Sequence, residues 1–127
     1  MVSDEIAKDI REIKWHQEAI DSSMELLLKA NRDAILAEIM SFFGRSKRRA
    51  QIFLAVDGKR TVEDITKLLD LQKPNVSAGL TKLKNEGLIE IKKITSEGYY
   101  IYKKRRVDRI LGISKKLRQK FELNNLF

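Results

Sequence analysis

The chain has 127 residues, of which 43% are hydrophobic and 35% are charged, and its formal net charge is +8. This length suits one domain with helical extensions, and the apolar content is enough for a buried core. Cys is absent, which excludes disulfides, thiolate metal sites and a Cys nucleophile. No apolar run approaches the roughly 20 residues that span a bilayer and no signal peptide opens the chain, so we expect a cytoplasmic protein without a membrane partner.

The charge is distributed unevenly along the chain. Residues 1–44 contain 5 basic and 9 acidic residues, a net charge of −4, whereas residues 45–127 contain 21 basic and 9 acidic residues, a net charge of +12. A basic segment of this kind favours a polyanionic partner such as nucleic acid. The simpler alternative is a charged surface that only keeps the protein in solution.

The N-terminal region, residues 1–44, is predicted to be helical. Apolar residues recur at alternating spacings of three and four within residues 3–30, as in the seam of a coiled coil. The seam positions, which are our candidates for dimerisation, are Ile6, Ile10, Ile13, Gln17, Ile20, Met24 and Leu27. Because so short a helix is only marginally stable alone, the seam must pack on a second copy or on the body of its own domain. The narrow stripe favours a second copy.

A wider apolar surface follows from Leu28 to Phe43. It predicts a helix that is buried against the body and ends at Gly44. Whether this helix continues the first one is open, because residues 21–23 offer a new cap and residues 31–33 offer a bend.

A further helix is predicted from Lys47 to Val56, with Ser46 as its N-cap. Its start is densely basic, with Arg45, Lys47, Arg48 and Arg49 in sequence. Cations near a helix N-terminus are unfavourable for the helix dipole. They are better explained if they face phosphate groups, although a solvated basic turn is the alternative.

Residues 61–88 predict two short helices joined by a tight turn at residues 70–73. In the first helix, Thr61 and Asp64 have the spacing of a capping box. An apolar face at helical spacing is expected to be buried; its residues are Val62, Ile65, Leu68 and Leu69.

The second of these helices has Pro74 in its first turn, where a missing N–H costs nothing. Val76, Leu80 and Leu83 form its buried face, and Gly87 can take the left-handed conformation that ends it. Two strands are predicted next, with residues 89–94 leading through a turn at 95–98 into 99–104. Along the first strand, apolar residues alternate with polar ones, as expected for a half-buried strand; they are Ile89, Ile91 and Ile94.

This pattern resembles the winged helix-turn-helix of transcription regulators, especially those of the ArsR and MarR groups. The residues that carry the resemblance are Leu69, Leu71, Pro74, Val76, Ser77, Leu80, Leu83, Gly87, Leu88 and Ile89. The chain departs from the pattern at Gln72, where the family usually has a capping Ser, and at Ala78 and Gly79, where many members have larger polar residues. The resemblance covers residues 45–104 and implies a homodimer that binds double-stranded DNA at the nucleoid.

The predicted fold is therefore mainly α with a small β-hairpin, the wing, at residues 89–104. A winged helix-turn-helix domain (45–104) lies between N-terminal helices (1–44) and a basic amphipathic C-terminal helix (105–127). The apolar face of that last helix resembles the terminal helices of ArsR and MarR dimers and is expected to pack on the N-terminal helices. A membrane surface or another partner is the alternative.

The resemblance implies that a recognition helix, about residues 73–86, enters the major groove with its N-terminal residues nearest the base edges. Our base-reading candidates are Gln72, Lys73, Asn75, Ser77, Ala78, Thr81 and Lys82. Candidates for phosphate contacts, which position a protein without reading sequence, are Arg48, Arg49, Lys59, Arg60, Lys84, Lys92 and Lys93. No Arg lies on the recognition helix, and Ala78 and Gly79 are interpreted as allowing close approach of the backbone while reading few bases.

Two alternatives remain open on these residues. An architectural protein would coat DNA with little specificity, and a protein–protein adaptor would use the winged helix to bind another protein. An enzyme is not expected, since there is a single His and no catalytic or phosphate-binding motif. The Cys-thiolate metal sensing of ArsR proteins is excluded and no carboxylate–His cluster stands out, so we expect no metal and no cofactor. Whether a small-molecule effector binds between the dimer helices, as in MarR proteins, is left open by the sequence.

Overall fold

The computed structural model describes residues 22–124 and 126. In chain order they form α1 (residues 22–30), α2 (Arg32–Phe43), α3 (Lys47–Ala55), α4 (Val62–Leu69), α5 (Lys73–Asn85), β1 (Ile89–Ile94), β2 (Tyr100–Lys104), α6 (Arg106–Leu111) and α7 (Ile113–Lys120). The strands pair antiparallel. This is the predicted mainly α fold with a β-hairpin wing, with α3, α4 and α5 as its three-helix unit. Within the described ranges, no helix is both long and apolar enough to cross a membrane.

One apolar core joins the helix-turn-helix to the flanking helices. Phe43 of α2 meets Phe53 of α3 edge to face, with ring centroids 5.6 Å apart. Leu111 and Leu117 from the C-terminal helices belong to the same buried cluster. Residues from outside the winged domain therefore share its core, and the prediction that the C-terminal segment packs on an N-terminal helix agrees with the contact between α7 and α2.

The predicted caps are present at the starts of α3 and α4. The Ser46 hydroxyl accepts the N–H of Arg49 at 3.2 Å at the start of α3. At the start of α4, Thr61 Oγ1 accepts the N–H of Asp64 while the Asp64 carboxylate accepts the N–H of Thr61, which is the predicted capping box. These bonds satisfy helix N–H groups that have no partner within the helix. After α5, Gly87 has φ of +75°, which explains the glycine.

Residues 22–43 form two helical segments, α1 and α2, that meet at Asn31. Asn31 interrupts the helix between α1 and α2 with φ −112° and ψ 24°. The hydrogen bonds from Asn31 N to Leu27 O and from Ile35 N to Asn31 O continue across it. The chain therefore bends at Asn31 without a new cap. Most of the predicted seam (Ile6, Ile10, Ile13, Gln17 and Ile20) lies outside the described residues.

The prediction of a single helix from residue 105 is wrong. The segment forms α6 and α7, separated by Gly112 at φ +67°. Asp108 stabilises this break, because its carboxylate accepts the backbone N–H of Ser114 at 2.7 Å and the Ser114 hydroxyl at 2.8 Å. The change of direction brings Ile113 into the core beside Leu117.

The buried face predicted for α4 is narrower than expected. Ile65 is fully buried, but Leu68 is 44% exposed. Helix α4 packs on α3 and α5, and these neighbours cover only the side centred on Ile65. Leu68 was therefore wrongly assigned to the buried face.

The wing is also less buried than predicted. Ile89 is buried, whereas Ile91 is 36% and Ile94 is 59% exposed. A β-bulge between Ile91 and Lys93 adds one residue to β1, so Ile91 pairs with Tyr102 and Ile94 pairs with Tyr100. Both isoleucines consequently lie on one face, and only the base of that face packs on the domain. The prediction that all three isoleucines are inward is wrong for the two outer ones.

Candidate nucleic-acid interface

Helix α5 turns one side to the core and the other to solvent. Val76, Leu80 and Leu83 are buried, at the spacing of one helix face. The base-reading candidates lie outside this face. Ser77 is partly buried, and the other candidates are exposed, namely Gln72, Lys73, Asn75, Ala78, Thr81 and Lys82. The structure therefore presents the predicted residues together along the accessible side of α5.

The polar groups of this surface differ in how far they are already engaged. Thr81 Oγ1 donates to the Ser77 carbonyl at 3.0 Å, so its proton is used within the helix. The side chains of Gln72 and Asn75 make no hydrogen bond with any other described residue. Each of these amides has donors and an acceptor available, as bidentate recognition of adenine requires.

Lys73 is held by a neighbouring helix. Its Nζ lies 3.2 Å from Oε1 of Glu63 in the first turn of α4. Glu63 was not among the predicted site residues, because its distance of ten residues along the chain gives no sequence signal for the pairing. The turn between α4 and α5 brings the two side chains together, with Asp70 in the left-handed conformation at φ +53°.

Gly79 has a different role from the predicted one. A Cβ at this position would lie 2.8 Å from Cδ1 of Ile52 on α3, and Ile52 is only 2% exposed. Gly79 thus allows α5 to approach α3 closely, and the interpretation that it opens the helix surface to DNA is wrong. The sequence did not reveal this role, because residue 79 lies at the border between the buried side and the exposed side of α5.

The predicted phosphate-binding residues fall into two groups. Arg48, Lys59, Lys84 and Lys93 are exposed. The Arg49 guanidinium instead donates to the Phe42 carbonyl at 2.6 Å and lies 4.6 Å from the centre of the Phe42 ring. These contacts within the chain make Arg49 a weaker candidate for phosphate.

Arg60 and Lys92 are likewise engaged close to one loop. Arg60 donates to the Ala55 carbonyl at 3.1 Å and lies 3.6 Å from the Asp57 carboxylate. Lys92 is the extra residue of the bulge, and its Nζ donates to the Gly58 carbonyl at 3.1 Å. Both side chains therefore stabilise the loop of residues 57–61 and the base of the wing.

The loop of residues 57–61 joins the wing to the helix-turn-helix. The Gly58 N–H donates to the Tyr102 carbonyl at 3.0 Å, and Thr61 forms a β-bridge with Ile101. Burial raises the pKa of Asp57, but the backbone N–H groups of Arg60 and Lys59 and the Arg60 charge outweigh burial and hold that pKa below its ordinary value. Since α4 begins directly after this loop, the wing base, the loop and the start of α4 are adjacent.

Lys104, the last residue of β2, turns its side chain towards the interior. Its Nζ donates to the Leu54 and Val56 carbonyls at 3.2 and 2.7 Å, and it lies 5.4 Å from the centre of the Phe53 ring. Burial lowers the pKa of this amine. Lys104 therefore caps carbonyl groups at the end of α3 and fixes the wing to it.

The tip of the wing is acidic and partly apolar. Its turn contains Glu97. A hydrogen bond from the Glu97 backbone N–H and smaller contributions from hydrogen bonds of the Thr95 and Ser96 side chains hold the pKa of this carboxyl below its ordinary value. Tyr99 and Tyr100 are 41% and 44% exposed. An ionised carboxylate at the tip does not favour close approach to phosphate.

A cavity of about 670 Å³ lies between α1, α2, the base of the wing and α6. Leu28, Ile39, Phe42 and Val107 contribute apolar walls, and Glu90 is among the charged residues that line it. Its walls come from segments that are distant in the chain, so no sequence pattern revealed it. Among the described residues, no cluster of His, Cys, Asp or Glu has the makings of a metal site.

The comparison with protein families supports the predicted helix-turn-helix in the middle of the chain. Residues 46–90, which comprise α3, α4, α5 and the start of β1, match the model described as bacterial regulatory protein, arsR family. No curated protein matches the sequence significantly.

The fold resembles that of solved regulator structures. The transcriptional regulator SlyA superposes with a TM-score of 0.51 at 17% identity, covering 92% of this chain and 77% of SlyA. MepR, a transcription regulator of the Staphylococcus aureus multidrug efflux pump MepA, gives a TM-score of 0.49 at 14% identity over 85% of this chain and 78% of MepR. At these identities the likeness to SlyA concerns the fold.

Proposed function

We propose that this protein, a DNA-binding transcription regulator with an ArsR-type helix-turn-helix at residues 46–90, binds double-stranded DNA as a homodimer. Helix α5 lies in the major groove in this proposal. The observation that carries it is the accessible start of α5, where the amides of Gln72 and Asn75 are exposed and have no partner among the described residues. Protein groups of this kind read base edges in the major groove.

Basic residues around α5 supply the phosphate contacts. Lys59 precedes α4, Lys84 lies near the end of α5 and Lys93 belongs to β1, and all three are exposed. Phosphate contacts fix the register and orientation of a protein on the duplex. The excess positive charge of residues 45–127 adds to the attraction at long range.

The dimer is supported by apolar side chains that α1 leaves uncovered. Met24 is 54%, Leu26 is 68% and Leu27 is 59% exposed. Met24 and Leu27 continue the heptad pattern predicted for residues 3–30, and an apolar row at this spacing is covered when two helices pair. A dimer presents two recognition helices about 34 Å apart, one turn of DNA.

The dimer is tested by replacing Met24 and Leu27 together with Glu. We expect wild-type protein to have twice the mass of the 14.8 kDa chain in light scattering after gel filtration, and the Met24→Glu/Leu27→Glu variant to have the mass of one chain. Two buried charges without partners oppose pairing strongly.

The matched control places the same two charges elsewhere on α1. Ser22 and Ser23 are exposed, and neither is one of the seam positions. The Ser22→Glu/Ser23→Glu variant should therefore remain dimeric. A wild-type protein that has the mass of one chain, or a Met24→Glu/Leu27→Glu variant that stays dimeric, would contradict the proposed interface.

The structure bears on the alternative of an architectural protein. The main support for that alternative was a recognition helix that has no Arg and has small residues at Ala78 and Gly79. Of these features, Gly79 now has a packing role against Ile52. The exposed amides at the start of α5 favour a regulator that selects its sites. We propose no catalytic role and a cytoplasmic location at the DNA.

A further inference from the structure

The contact between α4 and α5 includes one ion pair at the reading end of the recognition helix. Lys73 Nζ and Glu63 Oε1 are 3.2 Å apart, and the side chains are 54% and 44% exposed. Lys73 is the first residue of α5 and Glu63 lies in the first turn of α4. An acidic side chain therefore lies beside the part of α5 that is nearest to base edges.

This ion pair is not needed to hold the two helices together. Ile65 of α4 and Val76 of α5 are completely buried, and α4 already has the capping box of Thr61 and Asp64. Half-exposed ion pairs contribute little to folding, because water screens them and the side chains lose freedom. The stability of the fold therefore does not explain why an acidic side chain lies at the proposed DNA-binding surface.

We infer that Glu63 is a specificity-determining residue, which positions the Lys73 ammonium for base edges and keeps it from binding phosphate. This inference rests on the proposed function, since it assigns a role in DNA binding. It concerns how sites are distinguished from other DNA, and it does not concern the strength of binding as such.

The chemistry of the pair explains the selectivity. An ammonium group has three donors, and Glu63 uses one of them. The other two remain for acceptors such as N7 and O6 of guanine. Lysine has a flexible stem, so a carboxylate that restrains it lowers the entropy lost on binding.

The same carboxylate acts against phosphate. A phosphate that approached Lys73 would also come close to Glu63, and the two negative charges repel each other. Base edges carry no net charge and escape this repulsion. Glu63 therefore lowers the affinity for arbitrary DNA while leaving contacts to a preferred site intact.

The test replaces Glu63 with Gln, which has nearly the same shape and no charge. A preferred duplex is first selected from a random library with the wild-type protein, and a scrambled duplex of equal composition is the reference. Glu63→Gln should bind the scrambled duplex more tightly and lower the ratio of preferred to scrambled affinity by about fivefold. The salt slope on scrambled DNA should become steeper by about 0.9 per protomer, because Lys73 gains a phosphate contact.

Two further variants separate positioning from a general charge effect. Glu86 caps the opposite end of α5 and forms no ion pair with another described residue, so Glu86→Gln removes an equal charge and should leave the ratio unchanged. In a Lys73→Ala background, Glu63→Gln should no longer change the ratio. Tighter binding to scrambled DNA is a gain that partial unfolding cannot produce.

The outcomes are distinct. If wild type prefers its selected duplex and Glu63→Gln keeps the same ratio and slope, the role of Glu63 is overturned while the proposed function stands. The role of Glu63 is also overturned if Glu63→Gln acts equally with and without Lys73, or if wild type binds all duplexes alike. If wild type binds no duplex, the proposed function fails together with the inference.

Discussion

Raising the salt concentration from 50 to 200 mM is expected to weaken DNA binding about ten-thousandfold. Each phosphate contact adds about −0.9 to the slope of log affinity against log salt, because binding releases the counterions of that phosphate. The exposed candidates are Arg48, Lys59, Lys84 and Lys93, and a dimer doubles them. Fluorescence anisotropy of a labelled duplex at several salt concentrations gives the slope directly.

Single substitutions relate this slope to particular residues. Lys84→Ala should make it shallower by about 0.9 per protomer. Lys29→Ala removes an equal charge from α1, where Lys29 pairs with Glu25, and should leave the slope unchanged. A flat salt profile for the wild type would rule out the phosphate contacts.

The variant Lys73→Ala/Asn75→Ala is expected to lower affinity for the preferred duplex about a hundredfold, since each good base contact contributes roughly 1–3 kcal/mol of discrimination. Both side chains are exposed at the start of α5. Affinity for a random duplex should fall only a few-fold, because Lys73 makes no phosphate contact while Glu63 holds it, and only its long-range attraction is lost. Titrating both duplexes at the same salt concentration measures the two losses.

The chain offers a control with the same residue types. Lys84 and Asn85 lie at the other end of α5, away from the end that is expected to read bases. Lys84→Ala/Asn85→Ala should weaken binding to both duplexes by similar factors. Similar losses on both duplexes for Lys73→Ala/Asn75→Ala would instead remove these two residues from base reading.

Local signals were sufficient to predict the helix-turn-helix. The capping box of Thr61 and Asp64 and the turn at Gly87 depend on residues that are near each other in the chain. Their effects on the backbone do not depend on distant partners. The starts of α3, α4 and α5 were accordingly predicted from the sequence.

The errors arose where distant segments decide the outcome. Leu68 and Ile94 fit apolar patterns, but no described neighbour covers them fully, so they remain 44% and 59% exposed. Gly112 ends α6 so that Ile113 reaches the core. A pattern of apolar residues shows that a face is available for packing and does not show which part of it is covered.

The candidate site was predicted only in part for the same reason. Exposed residues of α5 followed from helical spacing, which is a local property. The contact of Gly79 with Ile52 and the pair of Lys73 with Glu63 depend on how α5 packs on α3 and α4. The internal positions of Arg49 and Lys104 likewise depend on carbonyl groups that the tertiary fold brings near.

The most direct test of the proposed function is a footprint on long DNA that includes the region upstream of the protein's own gene, titrated near physiological salt. A site-specific dimer protects a short palindrome whose half-sites are about one helical turn apart, and this is the result we expect. Protection that spreads continuously with concentration would contradict site selection and indicate an architectural protein. Absence of protection even at low salt would contradict DNA binding and favour an adaptor that binds another protein.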